Sequence, residues 1–174
     1  MRVFIAIDIP QSLRKKIIAI QNSLPEFEGK TTEPENLHLT LKFLGEVDSN
    51  DVKNIKERLK EIKFKSFETE ITDIGVFNPD NIRITWLHMK NCDSLQKKID
   101  ECLEDFFEPE KRFMSHLTIA RVKQVKNKKT FLNELKKIKF DKIRFKVDNF
   151  KFKQSVLTET GSIYEDLAIY DLIK

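Results

Sequence analysis

The sequence lacks several features that would place it in common classes of protein. Its two cysteines, Cys92 and Cys102, have no C-x-x-C or zinc-knuckle spacing, so a reduced intracellular protein is expected. No apolar run approaches the roughly 18 residues of a membrane span, and the chain opens on a strand-like segment instead of a signal sequence. The absence of a G-x-x-x-x-G-K-S/T loop argues against a nucleoside-triphosphate enzyme. A cytoplasmic protein without a membrane partner is therefore predicted.

Linker composition is also missing. Only 4 glycines and 5 prolines occur in 174 residues, and no Gly/Ser-rich or Pro-rich segment separates two parts of the chain. With 40% hydrophobic residues, the chain can form one compact domain over residues 1–174. We expect two lobes, approximately 1–78 and 79–174, that pack as one body.

Hydrophobic periodicity predicts that one order of elements occurs twice, as strand, helix, strand, helix, strand. The C-terminal segments 143–152, 154–157 and 163–173 add antiparallel strands that are candidates for crossing between the lobes. An α+β fold is predicted, bilobal and pseudo-symmetric, with antiparallel sheets facing a central cleft and helices outside. The other predicted strands are 2–8, 37–44, 67–76, 82–89 and 116–122. Helical spacing is shown by Leu13, Ile17, Ile20 and Leu24; by Val52, Ile55, Leu59 and Ile62; by Leu95, Ile99, Cys102, Leu103 and Phe106; and by Phe131, Leu135 and Ile138.

Basic residues are concentrated in one segment. Residues 121–153 contain 13 Lys and Arg against three acidic residues, a net charge of +10, although the whole chain carries only +4. Such a segment favours a phosphate-rich partner, and an ordinary lysine-rich surface is the alternative.

The most specific pattern is a repeated tetrapeptide. His38-Leu39-Thr40-Leu41 occurs in the first half and His116-Leu117-Thr118-Ile119 in the second, and these motifs contain two of the 3 histidines. On a strand, the histidine and the threonine of each motif lie on one face and the aliphatic residues on the other. Two such sets suit an oxyanion held between two proton-transfer groups, which indicates general acid/base catalysis.

Segments along almost the whole chain carry a family resemblance. The chain resembles the two-histidine (2H) phosphoesterase superfamily and, within it, the RNA 2',3'-cyclic phosphodiesterases, also called 2'-5' RNA ligases. Ser115 and Asn78 depart from residues common in the family, but neither replaces a proposed catalytic atom. The matching segments are residues 1–8, 34–46, 75–77, 116–122, 154–158 and 161–165.

The resemblance implies hydrolysis of a terminal 2',3'-cyclic phosphate on RNA to a 2'-phosphomonoester, with reversible 2'-5' RNA ligation as a candidate second reaction. It implies no cofactor, and tRNA fragments are one candidate substrate. His38 would be the proton donor and His116 the proton acceptor, although the near-symmetry of the lobes leaves the reverse assignment open.

Three further residues are expected at the phosphate. Thr40 and Thr118 share the histidine face, and Arg121 matches a family arginine. Strict alternation would place Arg121 on the Leu117 face, so a bulge or a strand end is needed. Lys42 alternates onto the His38 face and could also reach the phosphate, whereas the third histidine, His88, lacks the threonine and is interpreted as structural.

Two other functions remain in view. A metallohydrolase would use His38 and His116 as ligands, but catalytic zinc takes three protein ligands and neither motif contains a carboxylate or a cysteine, so no metal is expected. A non-catalytic RNA-binding module would explain the basic segment but would leave the paired motif without a role.

Overall fold

The computed structural model describes residues 1–159 and 161–174 and shows an α+β fold built on one curled antiparallel sheet. The predicted fold class is thereby confirmed. The strands are β1 (Arg2–Asp8), β2 (Glu28–Thr31), β3 (His38–Glu46), β4 (Phe67–Val76), β5 (Ile84–Met89), β6 (His116–Gln124), β7 (Ile143–Val147), β8 (Asn149–Thr158) and β9 (Gly161–Asp171). The helices are α1 (Gln11–Asn22), α2 (Ser49–Lys60), α3 (Asp93–Cys102) and α4 (Lys128–Lys137), and a 3-10 turn covers Pro34–Asn36.

The sheet consists of two halves that meet at β3 and β6. Its order is β7-β4-β5-β6-β3-β1-β8-β9, and β2 pairs with the part of β6 that β3 does not cover. The two halves of the chain exchange strands, because β4 pairs with β5 and β7, while β8 and β9 extend the half that contains β1 and β3. The junction itself pairs Leu39 with Leu117.

The helices pack on one face of the sheet. The first three helices bury Ile17, Ile55 and Ile99 in the same core cluster as Leu39 and Leu117, and α4 joins a smaller cluster. The opposite face of β3 and β6 is therefore available for the cleft. Among the described residues, no helix is long and apolar enough to cross a membrane.

Several boundaries differ from those predicted. The strand expected at 143–152 is divided into β7 and β8, and the segment 154–157 is a continuation of β8. Strand β2 was missed because its four residues are all exposed and show no apolar alternation. The first and third helices end before Leu24 and Phe106, two residues whose helical spacing suggested longer helices.

Lys42 lies in the core, and its predicted place on the His38 face is wrong. The register of β3 against β1 shifts within Thr40–Lys42, since Ala6 pairs with Thr40 and Ile5 with Lys42. This β-bulge reverses the alternation, so Leu41 and Lys42 are both buried. The 4% exposed Lys42 forms an ion pair with Asp100 and donates a hydrogen bond of 2.8 Å to the carbonyl of Glu108.

Replacement of this lysine tests the buried ion pair. We expect Lys42→Met to lower the free energy of unfolding by about 3 kcal/mol, because the Asp100 carboxylate would stay buried without its cation. Adding Asp100→Asn removes the charge but keeps hydrogen-bonding capacity toward Gln96, so the double variant should recover part of the loss. Urea unfolding measures both changes. A double variant no more stable than Lys42→Met would show that the lysine acts only through packing.

Candidate active site

Each motif histidine is the first residue of its strand, and the two side chains make the same contact with the backbone. The Nδ1 atom of His38 is 2.7 Å from the carbonyl oxygen of Asn36, and that of His116 is 2.7 Å from the carbonyl oxygen of Met114. A carbonyl only accepts hydrogen bonds, so each Nδ1 carries a hydrogen. Each Nε2 is then left to accept or donate a proton.

The junction of β3 and β6 brings the two motifs together. Because Leu39 pairs with Leu117 in antiparallel register, each motif histidine lies beside the threonine of the other motif. One cavity of about 250 Å³ is lined by His38, Thr40, His116 and Thr118. The four residues predicted from the repeated tetrapeptide therefore surround one space.

Arg121 reaches the same cavity through a second β-bulge. Thr85 pairs with Ala120 but Trp86 pairs with Thr118, so Ile119 is an extra residue in β6. Ile119 and Ala120 are both fully buried, and Arg121 returns to the histidine face, where it lines the cavity. The bulge required for a contribution from Arg121 is present.

Phe43 occupies the position in the first motif that Arg121 occupies in the second. The bulge in β3 turns Phe43 out of the core, leaving it 54% exposed, and the Arg2 guanidinium carbon lies 5.1 Å from its ring centroid. An adjoining cavity of about 400 Å³ is lined by Phe43 and Arg2 and shares His38 and Arg121 with the first cavity. The cleft is thus pseudo-symmetric in its histidines and threonines, but at the two equivalent positions after them it has Arg121 in one half and Phe43, with Arg2 against its ring, in the other.

Aromatic rings enclose His38 more completely than His116. Phe4 and Tyr164 each place their ring centroid 5.0 Å from that of His38, whereas His116 has the edge-on ring of Phe77 at 4.8 Å. Tyr164 also lines the cavity. The contacts of Phe4 and Phe77 were not predicted, because aromatic residues near apolar strands are usually core residues.

This enclosure affects protonation. Burial lowers the pKa of His38 to about 4, against the raising effects of the Asn36 carbonyl and the Asp8 carboxylate, while the charges of Lys153 and Arg121 lower it further. Burial also lowers the pKa of His116, and the Met114 carbonyl opposes this effect. At neutral pH the His38 imidazole is therefore neutral.

His88, the remaining histidine, pairs across the sheet with His116 and has its Nδ1 2.9 Å from the carbonyl oxygen of Ser115. It does not line the two cavities described above. Within residues 1–159 and 161–174, no group of three His, Cys, Asp or Glu side chains is arranged to hold a metal ion.

The basic segment does not form one charged surface. Lys151 and Lys153 form ion pairs with Asp8 and Asp166 beside β1. Other members of the segment pair with Glu26, Glu70 and Glu134. Since Glu134 belongs to the segment itself, four acidic residues from elsewhere in the fold offset part of its net charge of +10. Arg121 is the member of the segment that lines the histidine cavity.

A two-lobed α+β fold with paired His and Thr residues around one cavity defines a two-histidine phosphoesterase. The LigT-like phosphoesterase family model matches residues 7–86 and 88–164, and the chain belongs to this family.

Relatives from several organisms match nearly the full length of the chain. The RNA 2',3'-cyclic phosphodiesterase of Archaeoglobus fulgidus is 36% identical over 98% of this chain and 100% of its own length. The proteins of the same name from Methanocaldococcus jannaschii and Thermotoga maritima are 37% and 38% identical over 95% and 96% of this chain, covering 97% and 93% of their own lengths. A crystal structure of Escherichia coli LigT complexed with 3'-AMP has a TM-score of 0.80 at 23% identity, covers 99% of this chain and 98% of that one, and supports the fold.

The lowered pKa of His38 predicts a pH-dependent contribution to stability. Between the ordinary histidine pKa of about 6.5 and the folded value of about 4, the unfolded chain binds a proton that the folded protein does not. This contribution is complete above pH 6.5 and is lost as the pH falls through that window, by up to roughly 3 kcal/mol. Urea unfolding of the wild type and of His38→Gln should show a steeper decline for the wild type. Parallel stability curves would contradict the lowered pKa.

Proposed function

We propose that this protein is an RNA 2',3'-cyclic phosphodiesterase that opens a terminal 2',3'-cyclic phosphate to a 2'-phosphomonoester. The observation that carries the proposal is the pair of His-Thr sets around one cavity, each histidine with its Nδ1 held by a backbone carbonyl. The family and the names of its relatives support the same activity.

The geometry suits an in-line displacement at phosphorus. Water attacks phosphorus as the bond to the 3' oxygen breaks, so one group takes a proton from water and another gives a proton to the departing oxygen. Histidines from opposite halves of the sheet can serve the two sides of the phosphate. The hydroxyls of Thr40 and Thr118 would donate hydrogen bonds to the non-bridging oxygens, and Arg121 would balance their charge.

The roles of proton donor and proton acceptor can be assigned to the two histidines in two ways. In the form implied by the family resemblance, His38 donates the proton to the 3' oxygen and His116 accepts the proton of water. This form requires the phosphate anion to raise the pKa of His38 from about 4. The desolvation of His38 favours the reverse form, in which neutral His38 is the base.

The proposed activity also has a substrate class and a cellular location. RNA ends that carry a 2',3'-cyclic phosphate would be the substrates, with tRNA fragments as one source, and the reaction would occur in the cytoplasm. The same ring opening with a 5' hydroxyl in place of water as nucleophile would join RNA ends through a 2'-5' bond and free the 3' hydroxyl, and this joining would be reversible. Neither reaction requires a cofactor in this scheme.

The activity can be tested with a nucleoside 2',3'-cyclic phosphate in the presence of EDTA, with phosphorus NMR to identify the product. We expect a 2'-phosphate from the wild type and losses of at least about 100-fold from His38→Ala and from His116→Ala. His88→Ala is the matched control and should stay near wild type, since His88 does not line the two cavities described above. Formation of the 3'-phosphate, or RNA binding without turnover, would refute the proposal, and the latter would favour the RNA-binding module.

A substrate analogue can distinguish the two histidine assignments. With sulfur in place of the 3' oxygen, the leaving group departs without a proton, so the analogue should rescue whichever variant lacks the acid. Rescue of His38→Ala but not of His116→Ala supports His38 as donor. Rescue of His116→Ala alone supports the reverse assignment, and a pH profile by itself cannot decide because its limbs belong to the pair.

A further inference from the structure

The bulge that brings Arg121 to the cavity accepts hydrogen bonds from residues outside β6. We propose that Gln21 is a positioning residue that clamps this bulge and so fixes Arg121 for phosphate binding. This inference rests on the proposed function, in which Arg121 contacts the phosphate.

Gln21 is a polar residue on the buried side of α1. It is only 7% exposed, and Ile17 and Ile20 beside it on the helix are buried in the core. Its Nε2 donates two hydrogen bonds of 2.9 Å, one to the carbonyl of Ile119 and one to the carbonyl of Thr32. A buried amide that lacked such partners would be costly, so both of its hydrogens are committed to this place.

Thr32 donates hydrogen bonds to the same stretch of backbone. Its N–H donates to the carbonyl of Ile119 at 2.9 Å, and its Oγ1 donates to the carbonyl of Thr118 at 2.9 Å. The carbonyl of the extra residue, Ile119, thus accepts from both Gln21 and Thr32. The phosphate-binding candidates Thr118 and Arg121 lie on either side of this clamped residue.

The preceding strand, β2, also approaches the bulge closely. Gly29 has φ +146°, and a Cβ atom there would lie 2.2 Å from the carbonyl oxygen of Arg121. Only glycine allows this approach of the two backbones. The segment from Gly29 to Thr32 therefore runs along β6 beside Arg121.

The corresponding bulge in the first half is held differently. There the residue turned inward is Lys42, whose own ammonium group anchors it to Asp100. At the second bulge the inward residue is Ala120, which has no polar group. The hydrogen bond from Gln21 of α1 to the carbonyl of Ile119 takes the place of that ion pair, which explains why a glutamine is buried here.

A double-mutant cycle with Gln21→Met and Arg121→Ala tests the clamp. Methionine has a similar length but donates no hydrogen bond, so the bulge can relax and Arg121 can lose its place in the cavity. The readouts are competitive inhibition by inorganic phosphate and kcat/KM for the cyclic phosphate. In the wild-type background, we expect Gln21→Met to raise the inhibition constant of phosphate and to lower kcat/KM, each by about tenfold. In the Arg121→Ala background, each change should be less than about twofold.

Thr69→Val is the matched control for general destabilisation. Thr69 is 1% exposed and donates a hydrogen bond of 2.7 Å to the carbonyl of Lys90, without lining the histidine cavity. This variant should leave inhibition by phosphate unchanged. If Gln21→Met does not fold, Thr32→Val, which removes only the hydrogen bond to Thr118, is measured by the same cycle.

The outcomes separate the inference from the function it rests on. Equal losses from Gln21→Met in both backgrounds, or no loss in the wild type while Arg121→Ala weakens phosphate binding, would overturn the clamp and leave the proposed function intact. Unchanged phosphate inhibition in Arg121→Ala would remove the role of Arg121 and the clamp with it. No turnover by the wild type would refute the proposed function itself.

Discussion

The pairing of Leu39 with Leu117 is the contact on which the site depends. These two buried side chains hold β3 and β6 together on the helix-covered face, so the histidine and threonine beside each leucine must lie on the opposite face. The site is thus built from a core contact: the apolar residue of each motif positions the polar residues next to it. A shift of one residue at this junction would bury the histidines and expose the leucines.

Two β-bulges convert this symmetric arrangement into an asymmetric cleft. Each bulge comes after the motif threonine and turns the residue five positions after the histidine toward the cleft. That residue is Phe43 in one half and Arg121 in the other. Because both bulges reverse the strand alternation in the same way, the duplicated backbone presents an aromatic ring and a cation at equivalent places. In the proposed function, Arg121 would bind the phosphate of the ligand and Phe43 would contact its less polar part.

The motif residues could be predicted from the sequence because their alternation precedes the bulges. His38 and Thr40 follow the simple period of two, and so do His116 and Thr118. After that point the prediction failed for Lys42, and Arg121 could be placed only if a bulge was assumed, since a bulge adds one residue without a clear sequence signal. The C-terminal strands were candidates for crossing between the lobes, but periodicity could not assign their partners or those of β4, and it missed the polar strand β2, because both depend on long-range pairing.

In the proposed reaction, the bound phosphate supplies the negative charge that favours a protonated histidine. The His38 imidazole is neutral at neutral pH, and the positive charge of Arg121 is among the effects that lower its pKa. An anion bound against Arg121 would offset that charge and add attraction for a proton, so phosphate binding and histidine protonation favour each other. With His38 as the acid, an arrangement of this kind would keep that acid uncharged until a substrate is present. The position of Arg121, and hence of the bulge beneath it, then affects both binding and proton transfer.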